Sequence, residues 1–144
     1  MIRKNLLIVV GVLVFSLGSA CLAYSPAIIG GVRNGLGLGI IMEEGSSSTA
    51  SLRFGAEATT GSNPLCLFIG GKFYLSTINA TTPLSLGLGV IGDFGSNNGG
   101  NGGVVGVSVS AIFDHAFAVQ PLFIEAGIDV INSGGLQLQA GYRF

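Results

Sequence analysis

The stretch LQLQAGYRF, Leu136–Phe144, alternates apolar with polar or small side chains over its whole length. One set of alternate positions is apolar and includes Leu138 and Tyr142, while the other includes Gln139 and Arg143. Successive side chains of a β-strand point to opposite faces of the sheet. The stretch therefore predicts a strand with one apolar face and one polar face.

The same alternation recurs upstream, in segments of about ten residues separated by runs of Gly, Ser, Asn and Thr. Gly is also too frequent for stable helix interiors. The sequence therefore predicts an antiparallel β meander. Its clearest strands are Leu36–Glu43, Ala50–Thr60, Leu65–Leu75, Pro83–Phe94, Val104–Asp114, Val119–Ile131 and Gly135–Phe144.

The composition is unusual for a water-soluble domain. The chain has 144 residues, of which 25 are Gly, and it is 49% hydrophobic and 9% charged, whereas soluble domains average about 25% charged residues. The formal net charge of −1 argues against a basic nucleic-acid-binding protein and an acidic disordered tail, so we expect no nucleic-acid partner. A surface with so little charge suits lipid better than water.

The polar faces of the segments are mainly Gly and Ser with one or two charges each, which fits a narrow interior better than an exterior. A soluble sandwich would turn its apolar faces inward. A membrane barrel turns them toward lipid and leaves no backbone group unpaired in hydrocarbon. We therefore expect an all-β fold, an up-and-down transmembrane β-barrel. Its expected lumen charge network consists of Arg53, Glu57, Lys72, Glu125, Asp129 and Arg143.

The chain offers few candidates for catalysis. Glu57, Glu125 and Asp129 could provide paired carboxylates for acid–base chemistry, but the basic residues of the same interior favour ion pairing, because an unpaired buried charge costs several kcal/mol. His115, the only histidine, follows Asp114. A metal site or general base there would need partners from elsewhere, so a solvated turn is the favoured interpretation. We expect no enzymatic activity, metal or cofactor.

Residues 1–23 predict a signal peptide. The positive start MIRKN is followed by the apolar run LLIVVGVLVFSLG and a small-residue exit, as in bacterial secretory signals. The apolar run is shorter than the roughly 20 residues of a membrane-spanning helix. We expect Sec-dependent export, cleavage after Ala20 or Ala23, and a barrel domain at residues 24–144, with a retained membrane anchor as the alternative.

Two cysteines make neither a disulfide framework nor a metal site. Cys66 lies in a predicted strand and Cys21 lies in the leader. Lipid attachment at Cys21 would need Leu where Gly18 stands. A secreted β-sandwich anchored by that lipid remains an alternative to the membrane barrel.

The end of the chain resembles the C-terminal assembly signal of bacterial outer-membrane β-barrels, and the chain is similar in size to the eight-stranded barrels of the OmpA and OmpX type. The resemblance implies residence in outer-membrane lipid and recognition by the barrel-assembly machinery. The residues that carry it are Leu136, Leu138, Ala140, Tyr142 and Phe144.

Single-chain bacterial barrels usually have an even number of strands, so Tyr24–Arg33 is the expected eighth strand, which would close a monomer against the last. With Phe144 on the periplasmic side, the loops GSNP, GSNNGGNGG and NSGG face outward. Side chains fill the interior of an eight-stranded barrel, which disfavours an open pore. The predicted function is a non-enzymatic structural or surface-interaction role in the outer membrane; the alternative is a small solute channel or transporter.

Overall fold

The computed structural model describes residues 24–44, 49–95, 103–131 and 133–144. The predicted signal peptide, its cleavage site and Cys21 lie outside these ranges. The described chain forms a closed antiparallel barrel in which each strand pairs with its neighbours in sequence. This confirms the predicted up-and-down barrel and rules out the two-sheet sandwich. The strands are β1 Tyr24–Arg33, β2 Leu36–Glu44, β3 Ala50–Thr59, β4 Leu65–Ile78, β5 Thr82–Phe94, β6 Gly103–Asp114, β7 Leu122–Ile131 and β8 Ser133–Arg143.

The eighth strand is β1, with the predicted bounds. It pairs with β8 from Ala27 opposite Arg143 to Arg33 opposite Gln137, so one chain closes the barrel. The backbone N–H of Phe144 extends this seam by donating to the Pro26 carbonyl at 3.0 Å.

The β4–β5 hairpin is longer than predicted. The sequence STINATT reads as a connection, but Thr77 pairs with Pro83 and Ile78 with Thr82. Strand β3 accompanies β4 only as far as Phe73, so the tip of the hairpin extends past its β3 neighbour. Alternation of side chains did not reveal this extension because a register shift between Tyr74 and Ser76 interrupts it.

Strand β7 is shorter than predicted and begins at Leu122 instead of Val119. Residues Ala116–Ala118 form a single 3-10 turn, and turn hydrogen bonds continue from Leu122 N–H to the Val119 carbonyl at 3.0 Å. Pro121 has no N–H to contribute to a ladder. The apolar run beginning at Val119 therefore includes a corner before the strand.

The barrel has two ends, the Asn34 mouth and the Phe144 mouth. Asn34 and Gly35 have positive φ values of 49° and 115°, as two-residue hairpins with the twist of a sheet require, and they connect β1 to β2 at the Asn34 mouth. Strands β3, β5 and β7 also end at this mouth. The chain ends at the opposite one, the Phe144 mouth.

The two faces of the wall differ in chemistry. On β2, Leu36 and Leu38 are exposed on the outer face, whereas Ile41 and Glu43 are buried inside the barrel. Among the described residues, no helix has the length and apolar character to span a membrane. The interior also contains an apolar cluster of Ala27, Ile29, Ile41, Ile112 and Phe123.

Candidate functional site: the charged lumen

The barrel interior concentrates the charge of the protein. Of the charged side chains that the structure describes, only Glu44 points outward and is exposed. The other carboxylates and all four cations alternate in phase with the interior residues of their strands. The interior cations are Arg33, Arg53, Lys72 and Arg143, and the interior carboxylates are Glu43, Glu57, Asp93, Asp114, Glu125 and Asp129.

One ion cluster lies toward the Asn34 mouth and centres on Arg33. Its Nη1 lies 2.8 Å from Glu57 Oε1 and its Nε lies 3.0 Å from Asp129 Oδ2. Glu57 also accepts a hydrogen bond from the amide of Gln139, and Arg33 itself is 3% exposed. We call Arg33, Glu57 and Asp129 the Arg33 cluster.

A second cluster extends from the middle of the barrel to the Phe144 mouth. Arg53 contacts Glu125 at 2.9 Å and Glu43 at 3.3 Å. Lys72 bridges Glu43 and Asp114 at 2.8 Å each. Arg143 also joins these carboxylates, at 3.3 Å from Glu43 and 2.6 Å from Asp114. These residues, called the Arg53 cluster, are Arg53, Lys72, Arg143, Glu43, Glu125 and Asp114.

Two phenyl rings separate the arginines along the lumen. Phe68 lies between Arg33 and Arg53, with guanidinium-to-centroid distances of 5.4 and 5.9 Å. Phe123 lies between Arg53 and Arg143, at 5.8 and 4.4 Å. Contacts within about 6 Å of a ring centroid favour a cation. We call these five residues the Arg–Phe column.

The column leaves little space beside it. The void next to Arg33, Arg53 and Phe68 measures about 20 Å³, and a single water needs roughly 10–15 Å³. This part of the lumen is therefore packed with side chains, as expected for an eight-stranded barrel.

The structure places all six residues of the predicted charge network inside the barrel, although in two clusters. Arg53, Lys72, Glu125 and Arg143 belong to the Arg53 cluster, and Glu57 and Asp129 belong to the Arg33 cluster. Each of the carboxylates that had suggested acid–base chemistry forms an interior ion pair with an arginine. Unpaired, each would carry a desolvation cost of several kcal/mol.

Sequence reasoning missed Arg33, Glu43 and Asp93 as members of the interior. Glu43 and Asp93 lie in phase with small or polar positions of their own strands, so alternation contained the signal for these two residues. On β1 this signal is masked because the interior positions Ala27 and Ile29 are apolar.

Asp114 accepts ion pairs from Lys72 and Arg143. His115 itself occupies the left-handed region with φ 53°, at the corner before β7. Within the described ranges, no group of three or more His, Cys, Asp or Glu side chains is arranged to hold a metal ion. Cys66 is a buried free thiol.

The residues of the predicted assembly signal share the outer face of the closing strand. Tyr142 and Phe144 pack edge to face, with ring centroids 5.6 Å apart. All of the signal side chains are exposed, and they are Leu136, Leu138, Ala140, Tyr142 and Phe144.

A cavity of about 350 Å³ opens at the Asn34 mouth. Asp93 and Asp129 line it together with Asn34, and the walls include Val104 and Ile131. The Asn34 amide donates to Asp93 Oδ2 at 3.1 Å. Among the described residues, the lumen is therefore packed in the middle and contains a cavity at the Asn34 mouth.

These features define a class of protein, a closed eight-stranded antiparallel barrel with a charged, packed lumen and an apolar outer wall. No protein-family model matches the chain, and comparison with curated proteins and with solved structures finds no match either.

Proposed function

We propose that the protein is an integral outer-membrane β-barrel with a structural or surface-interaction role and no enzymatic activity. The observation that carries the proposal is the reversal of the usual faces: the ion pairs lie inside and most of the large apolar side chains that the structure describes are exposed on the outside. Burial of apolar surface stabilises a protein by about 25 cal/mol per Å², so an apolar wall left in water would forgo that stabilisation. Lipid is the solvent that suits this wall.

The outer wall is apolar across several adjacent strands. Val107 on β6 lies between Val90 on β5 and Val130 on β7 in the pairing register, and all three are exposed. A concavity of about 710 Å³, lined by residues such as Ile40, Phe54 and Leu67, lies in the same wall. Exposed apolar patches of this extent are rare on soluble monomers.

The packed lumen supports a role that needs no conduction. Each cation of the Arg–Phe column is held by a carboxylate and contacts a ring, so a passing solute would have to break buried ion pairs. We infer that the barrel acts through its outer wall and mouths. Closure by one chain supports a monomer.

The outer face of β8 supports recognition by the barrel-assembly machinery. Its signal residues are exposed in the folded barrel, where they add little to the core. A row of apolar side chains that the barrel interior does not use is available to a partner during insertion and to lipid afterwards.

The proposal is tested by expressing the full chain in a Gram-negative bacterium and separating its membranes. We expect the protein in the outer-membrane fraction after an alkaline carbonate wash, with different migration of unheated and boiled samples in a detergent gel. Recovery from the soluble periplasm, or release by carbonate, would contradict the proposal.

Spin labels test which face meets lipid. In a Cys66→Ser background, a nitroxide at Leu138→Cys should relax faster with oxygen, which partitions into lipid, than with a water-soluble nickel complex. A label at Asn63→Cys, on the β3–β4 connection, serves as the control and should show the opposite preference. Equal preference at both sites would argue against a lipid-facing wall.

Planar bilayers distinguish this proposal from a small solute channel. The purified barrel should insert without discrete current steps because the Arg–Phe column fills its middle. Reproducible steps that scale with the amount of inserted protein would favour the channel instead.

A further inference from the structure

We propose that the Asn34 mouth binds a small aliphatic organic cation, such as a diamine, through Asp93 and Asp129. The inference concerns an end of the lumen and does not depend on where the barrel resides. It goes beyond the proposed function because it assigns a ligand class to one mouth.

The charges of the lumen are unevenly divided. In the Arg53 cluster, three cations face three carboxylates and balance. Toward the Asn34 mouth, Arg33 alone faces Glu57 and Asp129. Asp93 adds a third carboxylate, whose side-chain partners are the neutral Asn34 amide and the Cys66 thiol. With these groups ionised, one positive and three negative charges leave this end with a net charge of −2.

Both carboxylates of the cavity have a buried oxygen without a partner. Asp93 and Asp129 are 5% and 6% exposed, and the Oδ1 atom of each lacks a hydrogen-bond partner within the described part of the chain. Leaving a buried charged acceptor unsatisfied costs more than the roughly 1–3 kcal/mol of a neutral group. A positively charged ligand that donates hydrogen bonds to the two Oδ1 atoms would remove this cost and would also offset the net negative charge of this end.

Residues 24–144 contain no further Lys or Arg to balance this end of the lumen. All four basic residues of the chain after residue 23 already lie in the two clusters. A positively charged ligand would supply the charge that these residues lack.

The cavity fits an organic cation better than a metal ion. Its volume of about 350 Å³ lies in the range of about 300–1,000 Å³ typical of small-molecule sites. Calcium takes 6–8 oxygen ligands, and no group of three or more potential metal-binding side chains exists among the described residues. Val104 and Ile131 offer apolar contacts for methylene groups, while Asp93 and Asp129 accept from ammonium groups.

The test is calorimetric titration of the folded full-chain barrel in detergent with 1,4-diaminobutane. The control ligand is 1,4-butanediol, which has the same length without charge. We expect saturable binding of the diamine and none of the diol. Absence of diamine binding at millimolar concentration, equal binding of the diol, or calcium binding in preference to the diamine would overturn the proposal.

Variants locate the site. Asp93→Asn keeps the shape and an acceptor for Asn34 while removing the charge, and we expect it to weaken diamine binding at least tenfold. Glu44→Gln is the matched control, because it removes one exposed carboxylate from the opposite end and should leave the affinity unchanged. An Asp93→Asn barrel that unfolds like the parent but binds diamine equally well would contradict the assignment. Asp129→Asn is a second test of the site, and we expect the folded variant to lose diamine binding as well.

Discussion

The ring of Phe123 occupies the space that a side chain on Gly141 would need. The two residues lie directly opposite each other in the β7–β8 pairing, and a Cβ atom built on Gly141 would overlap the ring. Phe123 is fully buried and carries the guanidinium of Arg143 at 4.4 Å from its centroid. Because Gly141 has no side chain, the Phe123 ring has room inside the barrel. The ring belongs to the apolar cluster and contacts Arg143 of the Arg53 cluster.

Replacing Gly141 with Ala should destabilise the barrel. Overpacking a well-filled core typically costs about 1–3 kcal/mol, and Phe123 is held by neighbours on several sides. Denaturant unfolding of the detergent-folded protein, followed by far-UV circular dichroism because the chain has no Trp, measures the change. Gly134→Ala is the matched control, since a Cβ there meets nothing within 4 Å. Equal stability of the two variants would contradict this account of Gly141.

Replacing Arg53 alone should destabilise the barrel more than replacing Arg53 and its partner Glu125 together. Arg53→Met leaves Glu125 buried with no cation within bonding distance, and breaking a buried ion pair in this way costs about 3–5 kcal/mol. Glu43 keeps Lys72 and Arg143, so the loss should act mainly through Glu125.

The double variant Arg53→Met/Glu125→Gln tests that explanation. The Ser110 hydroxyl donates to the Glu125 carboxylate at 2.7 Å, and the side-chain amide oxygen introduced by Glu125→Gln would still accept that hydrogen bond without the uncompensated charge. We expect the double variant to unfold at higher denaturant concentration than Arg53→Met, with a coupling of about 0.5–3 kcal/mol. Additive effects of the two substitutions would show that the ion pair does not govern the loss.

The sequence predicts the barrel because alternation and punctuation are local properties. Residues 136–144 show it most clearly, and β1 has its predicted bounds even though its interior positions are apolar. The connection before β7 was predicted at residues 115–118, where the structure has the 3-10 turn. Its extension to Pro121 escaped prediction because Val119 continues an apolar run.

The lumen was predictable only as a set of inward-facing charges. Alternation places Arg53 and Glu125 on interior faces, but their contact depends on how far the strands are staggered around the ring. The same holds for Phe123 and Gly141, since no local sequence pattern shows which aromatic ring packs against which glycine. The charge excess at the Asn34 mouth likewise emerges only when each cation is assigned its partners.

A charge in the middle of the outer wall should destabilise the barrel in a depth-dependent way. Val107 lies near the centre of β6 and is exposed, and Arg at the bilayer midplane of a membrane barrel costs about 2–4 kcal/mol. Leu36, at the Asn34 mouth, is the matched control, because Arg near the interface costs only about 0–1 kcal/mol. Unfolding from lipid vesicles measures both. If Val107→Arg and Leu36→Arg were equally mild, the wall would not be facing hydrocarbon.

The substitution Phe144→Ala should reduce assembly of the barrel in cells without reducing the stability of the folded barrel. The Phe144 side chain is 72% exposed, whereas its backbone N–H holds the Pro26 carbonyl at 3.0 Å, a contact that Ala retains. We therefore expect the refolded variant to unfold within about 0.5 kcal/mol of the parent, as is usual for surface substitutions. In cells the same variant should reach the outer membrane in reduced amount, because the terminal aromatic group is part of the proposed assembly signal. Quantitative blotting of membrane fractions measures this; Leu36→Ala, exposed on the outer face of β2, is the control. Equal accumulation of all three proteins would remove Phe144 from the signal.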